Sequence, residues 1–224
     1  MMHQQISKKI LIYLFLFIIF STLNNKSSNK LQFLKIEEIN ISGIDINHKI
    51  ELMRKLNFFK YQNIFLLNEA KIIEIINSNP YIEKFSIFKK YPSVLEVQIH
   101  TTEFIAYVKK KEGLFFLGSN RKLILAKNEV ENIPYIFGNF DNDEFFILKK
   151  MIDNSNFDYD EIKNLYFFPS NRWDIETRSG VLIKLPNDKL NKSLELSLKI
   201  LSDDSFNNVK LIDLRQNNQI IINE

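Results

Sequence analysis

Residues 79–103 constrain the fold of this chain more than any other stretch. Two segments of alternating apolar and polar residues flank a basic turn. In the second segment Leu95, Val97 and Ile99 alternate with polar residues, which is the period of a strand with one buried face. The stretch therefore predicts a β-hairpin. Its apolar face needs a cover, and the isoleucine-rich run at 72–76, which stops before a proline, predicts a helix that supplies it.

The residues before this hairpin predict the rest of a small domain. Residues 36–42 alternate as a strand does, Asn47 is placed to cap a first helix, and Asn68 is placed to cap a second. The connection at 57–67 is rich in aromatic and apolar residues and has no Gly or Pro, which predicts a packed segment. The order strand, helix, helix, strand, strand predicts a compact α+β domain at 35–103, with both helices on one face of a three-stranded sheet.

Composition bounds the classes of protein that the chain can belong to. With 224 residues and 45% hydrophobic residues, the chain can bury a core and is not a disordered protein. The net charge of +3 is a weak excess spread along the sequence, so we expect no nucleic-acid partner. The absence of Cys excludes disulfides and thiol catalysis.

The N-terminal segment predicts a membrane anchor. Lys8 and Lys9 precede an apolar run at 10–20, which as a helix spans only about 16 Å and alone has the length of a signal-peptide core. No small-x-small cleavage motif follows, and residues 6–23 reach about 27 Å if the lysines extend to the head groups. We therefore favour an uncleaved anchor over a cleaved signal peptide. The two lysines predict a cytoplasmic N-terminus, with the remainder of the chain outside the cytoplasm.

Residues 104–224 predict a second, β-rich domain. Many short β-branched or aromatic runs indicate a mostly antiparallel sheet, with a clear hairpin turn at 178–180. Apolar stripes at 145–152 and 190–201 predict two helices. Residues 210–222 predict a final hairpin. The predicted organisation is a cytoplasmic tail (1–9), a transmembrane anchor (10–23), a linker (24–34), the α+β domain (35–103) and the β-rich domain (104–224).

No residue pattern predicts catalysis. The three histidines lie far apart in the sequence, and with 5 Gly there is no glycine-rich phosphate loop. Asp141, Asp143 and Glu144 could bind a cation, but acidic residues just before an apolar stripe are equally expected at a helix N-terminus. We prefer the helix cap, and expect no cofactor, no metal, no small-molecule substrate and no enzymatic activity.

Taken in order, several segments resemble the landmarks of a known family. The order of elements at 36–103 resembles a POTRA domain, and the chain as a whole is similar to the bacterial cell-division family FtsQ, also called DivIB. The segments that carry this resemblance are INISG, NIFLLN, NPYIEKFSIFKKYPSVLEVQI, TEFIAYV, IPYIFGNF, RWDIETRSGVLIKLP and VKLIDLR. None is diagnostic alone, and their common order over almost the whole chain makes the resemblance specific.

The resemblance implies a function. FtsQ-like proteins are single-pass proteins of the cytoplasmic (inner) membrane that act as scaffolds at the division septum. They join early division components to septal peptidoglycan synthesis through the membrane proteins FtsB and FtsL. One alternative is a POTRA-containing component of outer-membrane protein assembly or secretion, although no run of amphipathic ten-residue strands follows here. A second alternative, a periplasmic enzyme, would need an unrecognised carboxylate site.

The end of the chain is the candidate site for a partner. Three consecutive isoleucines predict a closing strand with one unpaired backbone edge, which invites a partner strand. The alternative is that this strand only closes the core of the β-rich domain. In FtsQ-like proteins the Asp-Leu-Arg stretch and the closing strand receive FtsB, so the resemblance implies these partner-binding residues: Asp213, Leu214, Arg215, Gln216, Ile220, Ile221 and Ile222.

Overall fold

The computed structural model describes residues 8–22, 34–216 and 219–223. Most of the predicted linker and the middle of the predicted final turn lie outside the described residues. The chain divides into two compact units, which are Met1–Ile76 with Phe85–Ile99 and Asn77–Lys84 with His100–Glu224.

The first helix, α1 (Lys8–Thr22), covers most of the predicted anchor. It has 15 residues, and every side chain from Ile10 to Phe20 is at least 36% exposed. Within the described part of the chain, no helix has both the length and the apolar character needed to cross a membrane.

The first unit contains the predicted α+β arrangement. Its elements are β1 (Glu38–Ser42), α2 (Ile46–Leu56), α3 (Glu69–Asn77), β2 (Ile82–Lys90) and β3 (Val94–Thr101), with a 3₁₀ turn at Asn57–Phe59. The strands form a three-stranded sheet in the order β1-β3-β2. β1 runs parallel to β3, with Ile41 opposite Val97. The predicted order of elements is confirmed, and the central position of β3 explains why its apolar face is the most deeply buried.

Burial in this unit follows the predicted alternation. Leu95, Val97 and Ile99 are buried, and the helices contribute Leu56 and Ile72 to the buried residues. The sheet face that carries the alternating apolar residues is therefore the core face of this unit.

The caps of the two helices were predicted with mixed success. Asp45, not Asn47, caps α2, because its carboxylate accepts hydrogen bonds from the backbone N–H groups of Asn47 and His48. The prediction for Asn68 is confirmed, since its Oδ1 accepts from the N–H of Lys71 at 3.3 Å. Asp45 lies two residues before Asn47 and caps N–H groups of the first turn, so α2 begins at Ile46 and Asn47 lies inside the helix.

The second unit is built on a nine-stranded sheet. Its strands are β4 (Phe104–Lys110), β5 (Gly113–Gly118), β6 (Leu123–Leu125), β7 (Tyr135–Phe137), β8 (Ile162–Phe168), β9 (Arg172–Thr177), β10 (Leu182–Lys184), β11 (Leu211–Asp213) and β12 (Ile221–Asn223). The helices are α4 (Asn142–Asp153) and α5 (Leu190–Leu201), with 3₁₀ turns at Tyr159–Glu161 and Asp204–Phe206. The order across the sheet is β12-β11-β10-β9-β8-β7-β4-β5-β6, so β12 and β6 are its two edges.

Most neighbouring strands in this sheet are antiparallel, as predicted, and three pairs are parallel. β7 and β8 run parallel with α4 between them in sequence, and β10 and β11 run parallel with α5 between them. Each helix is therefore the crossover of a β-α-β unit, which parallel neighbours require. The third parallel pair is β4 with β7.

One face of the sheet packs against both helices. A row of apolar side chains crosses the strands in register, from Leu165 through Ile175, Ile183 and Ile212 to Ile222. These residues belong to one core with Phe145, Leu148 and Ile152 of α4 and Leu194 and Ile200 of α5. The hairpin predicted at 178–180 and the closing hairpin are both present as antiparallel pairs.

The acidic group before α4 is a helix cap. Asp141 accepts from the backbone N–H of Asp143, and the carboxylate of Glu144 accepts from the backbone N–H of Asp141 at 2.8 Å. This reciprocal arrangement is a capping box. The cap that we preferred for these residues is confirmed.

Candidate partner-binding edge

The closing strand β12 lies at one edge of the nine-stranded sheet. It pairs antiparallel with β11, placing Asp213 opposite Ile221 and Ile212 opposite Ile222. Within the described residues, β11 is the one strand that pairs with β12, so the other side of β12 is an edge of the sheet. An edge of this kind can accept a further strand through main-chain hydrogen bonds.

The three closing isoleucines have different environments. Ile222 points to the helix-covered face and packs against the core next to Ile212. Ile220 and Ile221 are 41% and 44% exposed. The alternative that this strand only closes the core therefore accounts for Ile222 and leaves two exposed β-branched side chains unexplained.

Asp213 and Arg215 form a tight local pair beside this edge. The Nε of Arg215 lies 2.8 and 2.9 Å from the two carboxylate oxygens of Asp213, and Nη2 donates to the same carboxylate. The carboxylate also accepts from the backbone N–H of Arg215 at 3.1 Å. These hydrogen bonds hold the pKa of Asp213 below its ordinary value of 3.8, against the opposing effect of burial. The carboxylate thus fixes the direction of a guanidinium whose side chain remains 40% exposed.

The face of the sheet that carries Asp213 also carries charged residues on the two strands beyond β11. Lys184 of β10 stands in register between Asp213 of β11 and Asp174 of β9. Burial raises the pKa of Asp174 above its ordinary 3.8, although Arg172, whose Nε donates to its carboxylate at 3.1 Å, acts in the opposite direction. Asp174 and Asp213 are thus buried acids, each with an arginine hydrogen-bonded to its carboxylate and with Lys184 in register between them.

A cleft of about 230 Å³ opens between the closing hairpin and the start of α5. From the predicted site it is lined by Leu214, Gln216 and Ile220. Further residues that line it come from the chain around the start of α5, and these are Pro186, Asp188, Lys189, Lys192, Ser193 and Leu196, together with Gln219 of the hairpin. The sequence predicted this helix but not its position beside the hairpin, because its residues are about twenty to thirty positions away and only the β10-α5-β11 crossover brings them together.

The structure thus brings all seven predicted residues to one corner of the sheet. Leu214 is buried, and its N–H donates to the carbonyl of Lys184 at 2.9 Å. Gln216 is exposed at the mouth of the cleft. In the part of the chain that the structure describes, no cluster of His, Asp or Glu is arranged to hold a metal ion.

Sequence models of known families match most of the residues from 34 to 215. A sequence model of the FtsQ-type POTRA domain matches residues 34–100, and a model of the C-terminal domain of the cell division protein FtsQ/DivIB matches residues 106–215. A POTRA domain followed by this β domain defines a class of bacterial cell-division protein. The chain belongs to the FtsQ/DivIB family. The second match ends at Arg215, so β12 lies beyond the matched residues.

Individual relatives agree with the family. The chain is 27% identical to the cell division protein DivIB of Clostridium botulinum strain Loch Maree, over 92% of this chain and 86% of that protein. It is 26% identical to the cell division protein FtsQ of Rickettsia bellii, over 84% of this chain and 72% of that protein. A solved structure of the major extracytoplasmic domain of DivIB from Geobacillus stearothermophilus matches with 18% identity and a TM-score of 0.36, over 49% of this chain and 98% of that chain.

Proposed function

We propose that this chain is a non-enzymatic division scaffold that captures a membrane division protein of the FtsB/FtsL type at the β12 edge. It is anchored in the cytoplasmic (inner) membrane by its N-terminal segment, with both folded units outside the cytoplasm, at the division septum. Through the captured partner it links early division components to septal peptidoglycan synthesis. The observation that carries the proposal is the position of β12, a three-residue strand at the edge of the sheet with Ile220 and Ile221 exposed.

Three features of the corner support strand addition. The partner strand would continue the sheet beyond β12 through main-chain hydrogen bonds, which give affinity with little dependence on sequence. Exposed side chains of Ile220 and Ile221 would supply apolar contacts on alternate faces. The adjacent cleft, which Lys189 and Lys192 help to line, offers a second contact surface for the residues that flank the added strand.

The pair formed by Asp213 and Arg215 supports a directional contact. A guanidinium held by a bidentate carboxylate loses little side-chain entropy when it meets a partner. We therefore assign Asp213 a positioning role and Arg215, with Gln216 beside it, a direct contact.

The anchoring part of the proposal is supported by α1. A helix that exposes an uninterrupted apolar surface from Ile10 to Phe20 has a strong preference for lipid over water. Lys8 and Lys9 precede it, which favours a cytoplasmic N-terminus.

The test is a pull-down with the extracytoplasmic segment of the partner and full-length protein. We expect Ile221→Pro and Arg215→Glu to abolish capture, because proline removes a backbone donor from the closing strand and the second variant reverses the charge of the contact. Leu125→Pro is the matched control, since Leu125 lies in the three-residue strand at the opposite edge and is 50% exposed. Capture at unchanged affinity by folded Ile221→Pro and Arg215→Glu would rule out this edge as the binding site.

A fluorescent fusion tests the cellular role separately. We expect the signal to gather at midcell before division. A uniform envelope signal throughout the cell cycle would contradict the scaffold function and leave the strand-addition chemistry to be judged by the pull-down.

A further inference from the structure

The connection between α2 and α3 carries an unusual amount of exposed apolar surface. We call residues 57–67 the aromatic loop. Phe59, Ile64 and Leu67 are buried, so the loop is fixed to the first unit as the sequence predicted. The other large apolar side chains of the loop are exposed, and they are Phe58 (65%), Tyr61 (69%), Phe65 (56%) and Leu66 (84%).

We call these four exposed side chains, together with Tyr91 in the turn between β2 and β3, the patch. The ring of Phe65 stacks on that of Tyr91, with centroids 4.7 Å apart, and Tyr91 is itself 56% exposed. Isolated exposed apolar residues are common on proteins, whereas five large exposed apolar side chains on one short loop and the turn that stacks on it mark a contact surface. The buried residues of the loop hold this patch in a fixed orientation.

The aromatic loop is paired with the first described residues after the helix α1. The N–H of Ile36 donates to the carbonyl of Gln62 at 2.9 Å, and the N–H of Tyr61 donates to the carbonyl of Ile36 at 2.8 Å. The N–H of Ile64 donates to the carbonyl of Leu34 at 2.9 Å. The patch therefore lies at the end of the first unit where the chain arrives from α1.

The chain length limits the distance between this patch and α1. Eleven residues, 23–33, separate Thr22 from Leu34. Even fully extended, that length of chain reaches no more than about 40 Å. If α1 is held in a bilayer, as the proposed function requires, the surface of that bilayer is within reach of the aromatic loop.

The chemistry of the patch fits a lipid interface. Tyrosine rings favour the head-group region, phenylalanine and leucine side chains enter the boundary between head groups and acyl chains, and lysines beside them reach the lipid phosphates. Lys60 precedes Tyr61 in the loop, and the ammonium of Lys71 lies 4.8 Å from the ring centre of Phe58. Glu69, the acidic residue in the first turn of α3, is paired with Lys89 at 2.6 Å.

We propose that the aromatic loop is a membrane-docking element, which inserts Phe65 and Leu66 into the head-group region of the bilayer that holds the anchor. This inference rests on the proposed anchoring through α1. Docking of this kind would fix the orientation of the first unit on the membrane.

The absence of native Cys allows a direct test in the full chain. An environment-sensitive fluorophore is attached at Leu66→Cys, and the protein is reconstituted into vesicles of phosphatidylcholine and phosphatidylglycerol. Ile46→Cys is the matched control, because Ile46 is 64% exposed and starts α2 just after the far end of β1. Flotation of the vesicles and circular dichroism check that both variants are bound and folded.

We expect the probe at position 66 to emit at shorter wavelength, to be quenched by nitroxide-labelled lipid and to be shielded from iodide. The probe at position 46 should keep the emission spectrum that it has in water. Adding Phe65→Glu should return the emission of the probe at position 66 to that spectrum. A protein that floats with the vesicles while both positions stay aqueous would overturn docking alone and leave a protein as the occupant of the patch. A protein that does not float would overturn the anchoring, and docking with it.

Discussion

The two edges of the nine-stranded sheet are matched in length and differ in what holds them. β6 and β12 each contain three residues. In β6 the central residue Ile124 is buried in a second core with Tyr107 and Phe116, and the chain that follows β6 packs on it through Val130 and Ile133. In β12 no residue is fully buried, and Ile222 alone packs on the core.

If the partner adds a strand to the sheet, as we propose, this difference in burial favours the β12 edge. The residues that follow β6 pack on the cluster around Ile124 and hold that strand in place. β12 is held by a single pairing with β11 and by half-buried contacts, and a partner strand would add hydrogen bonds and apolar burial to an element that has few of either.

The largest expected effect comes from a buried charge at each edge. Ile124→Asp should lower the free energy of unfolding of the second unit by about 4 kcal/mol, because it buries an unpaired carboxylate. Ile222→Asp should lower it by about 1–2 kcal/mol, because this half-buried position lets the carboxylate reach water. Urea unfolding of both variants measures the difference. Equal losses would mean that β12 is as firmly held as β6.

A second expected difference is electrostatic. β6 carries no charge, whereas the strand beside β12 ends in Asp213. The lowered pKa of Asp213 means that its contribution to stability is present above pH 3.8 and is lost as the pH falls through its folded-state value. The raised pKa of Asp174 has the opposite effect on stability, because the folded protein binds the proton of this carboxyl more tightly than the unfolded protein does. That contribution to stability is lost as the pH rises from 3.8 through the folded-state pKa.

The two acids can therefore be separated by substitution. Asp213→Asn should reduce the fall in unfolding free energy that occurs as the pH drops below 3.8. Asp174→Asn should reduce the fall that occurs as the pH rises above 3.8. Urea unfolding between about pH 2 and pH 6 distinguishes them. The same change in slope for both variants would contradict the opposite environments described for these carboxylates.

The smallest expected effect on stability is at the exposed positions of the two edges. Ile221→Thr and Leu125→Thr should each change the free energy of unfolding by less than about 0.5 kcal/mol, because both side chains are about half exposed. Affinity for the partner segment, measured by calorimetry, should fall for Ile221→Thr and stay unchanged for Leu125→Thr. A loss of affinity at Leu125 would shift the binding site to the β6 edge.

Local patterns explain how much of the fold could be predicted. The alternation in β3, the cap at Asn68, the capping box before α4 and the closing hairpin are all set by residues within a few positions of one another. Periodicity and side-chain hydrogen bonding act over this range, so the sequence carries them directly. The error at α2 is of the same scale, because Asp45 and Asn47 lie two positions apart and both residue types can cap a helix.

Long-range pairing could not be predicted from these patterns. The parallel neighbours β1 with β3 and β4 with β7 join segments that are far apart in sequence, and no local signal specifies their register. The strand-helix-strand order around α4 and α5 is typical of parallel pairing, although the short apolar runs on their own predicted antiparallel strands. For the same reason Lys189 and Lys192 were not recognised at the candidate site, although the hairpin itself was.

Hydrogen exchange of the full chain, with and without the extracytoplasmic segment of the partner, tests the central claim most directly. Without the partner, we expect the amides of β12 to exchange faster than those of β6, because less burial protects them. With the partner, exchange should slow at β12 and β11 and stay unchanged at β6. A bound partner that leaves the exchange of β12 unaltered, or that protects β6 in its place, would contradict capture by strand addition at the closing edge.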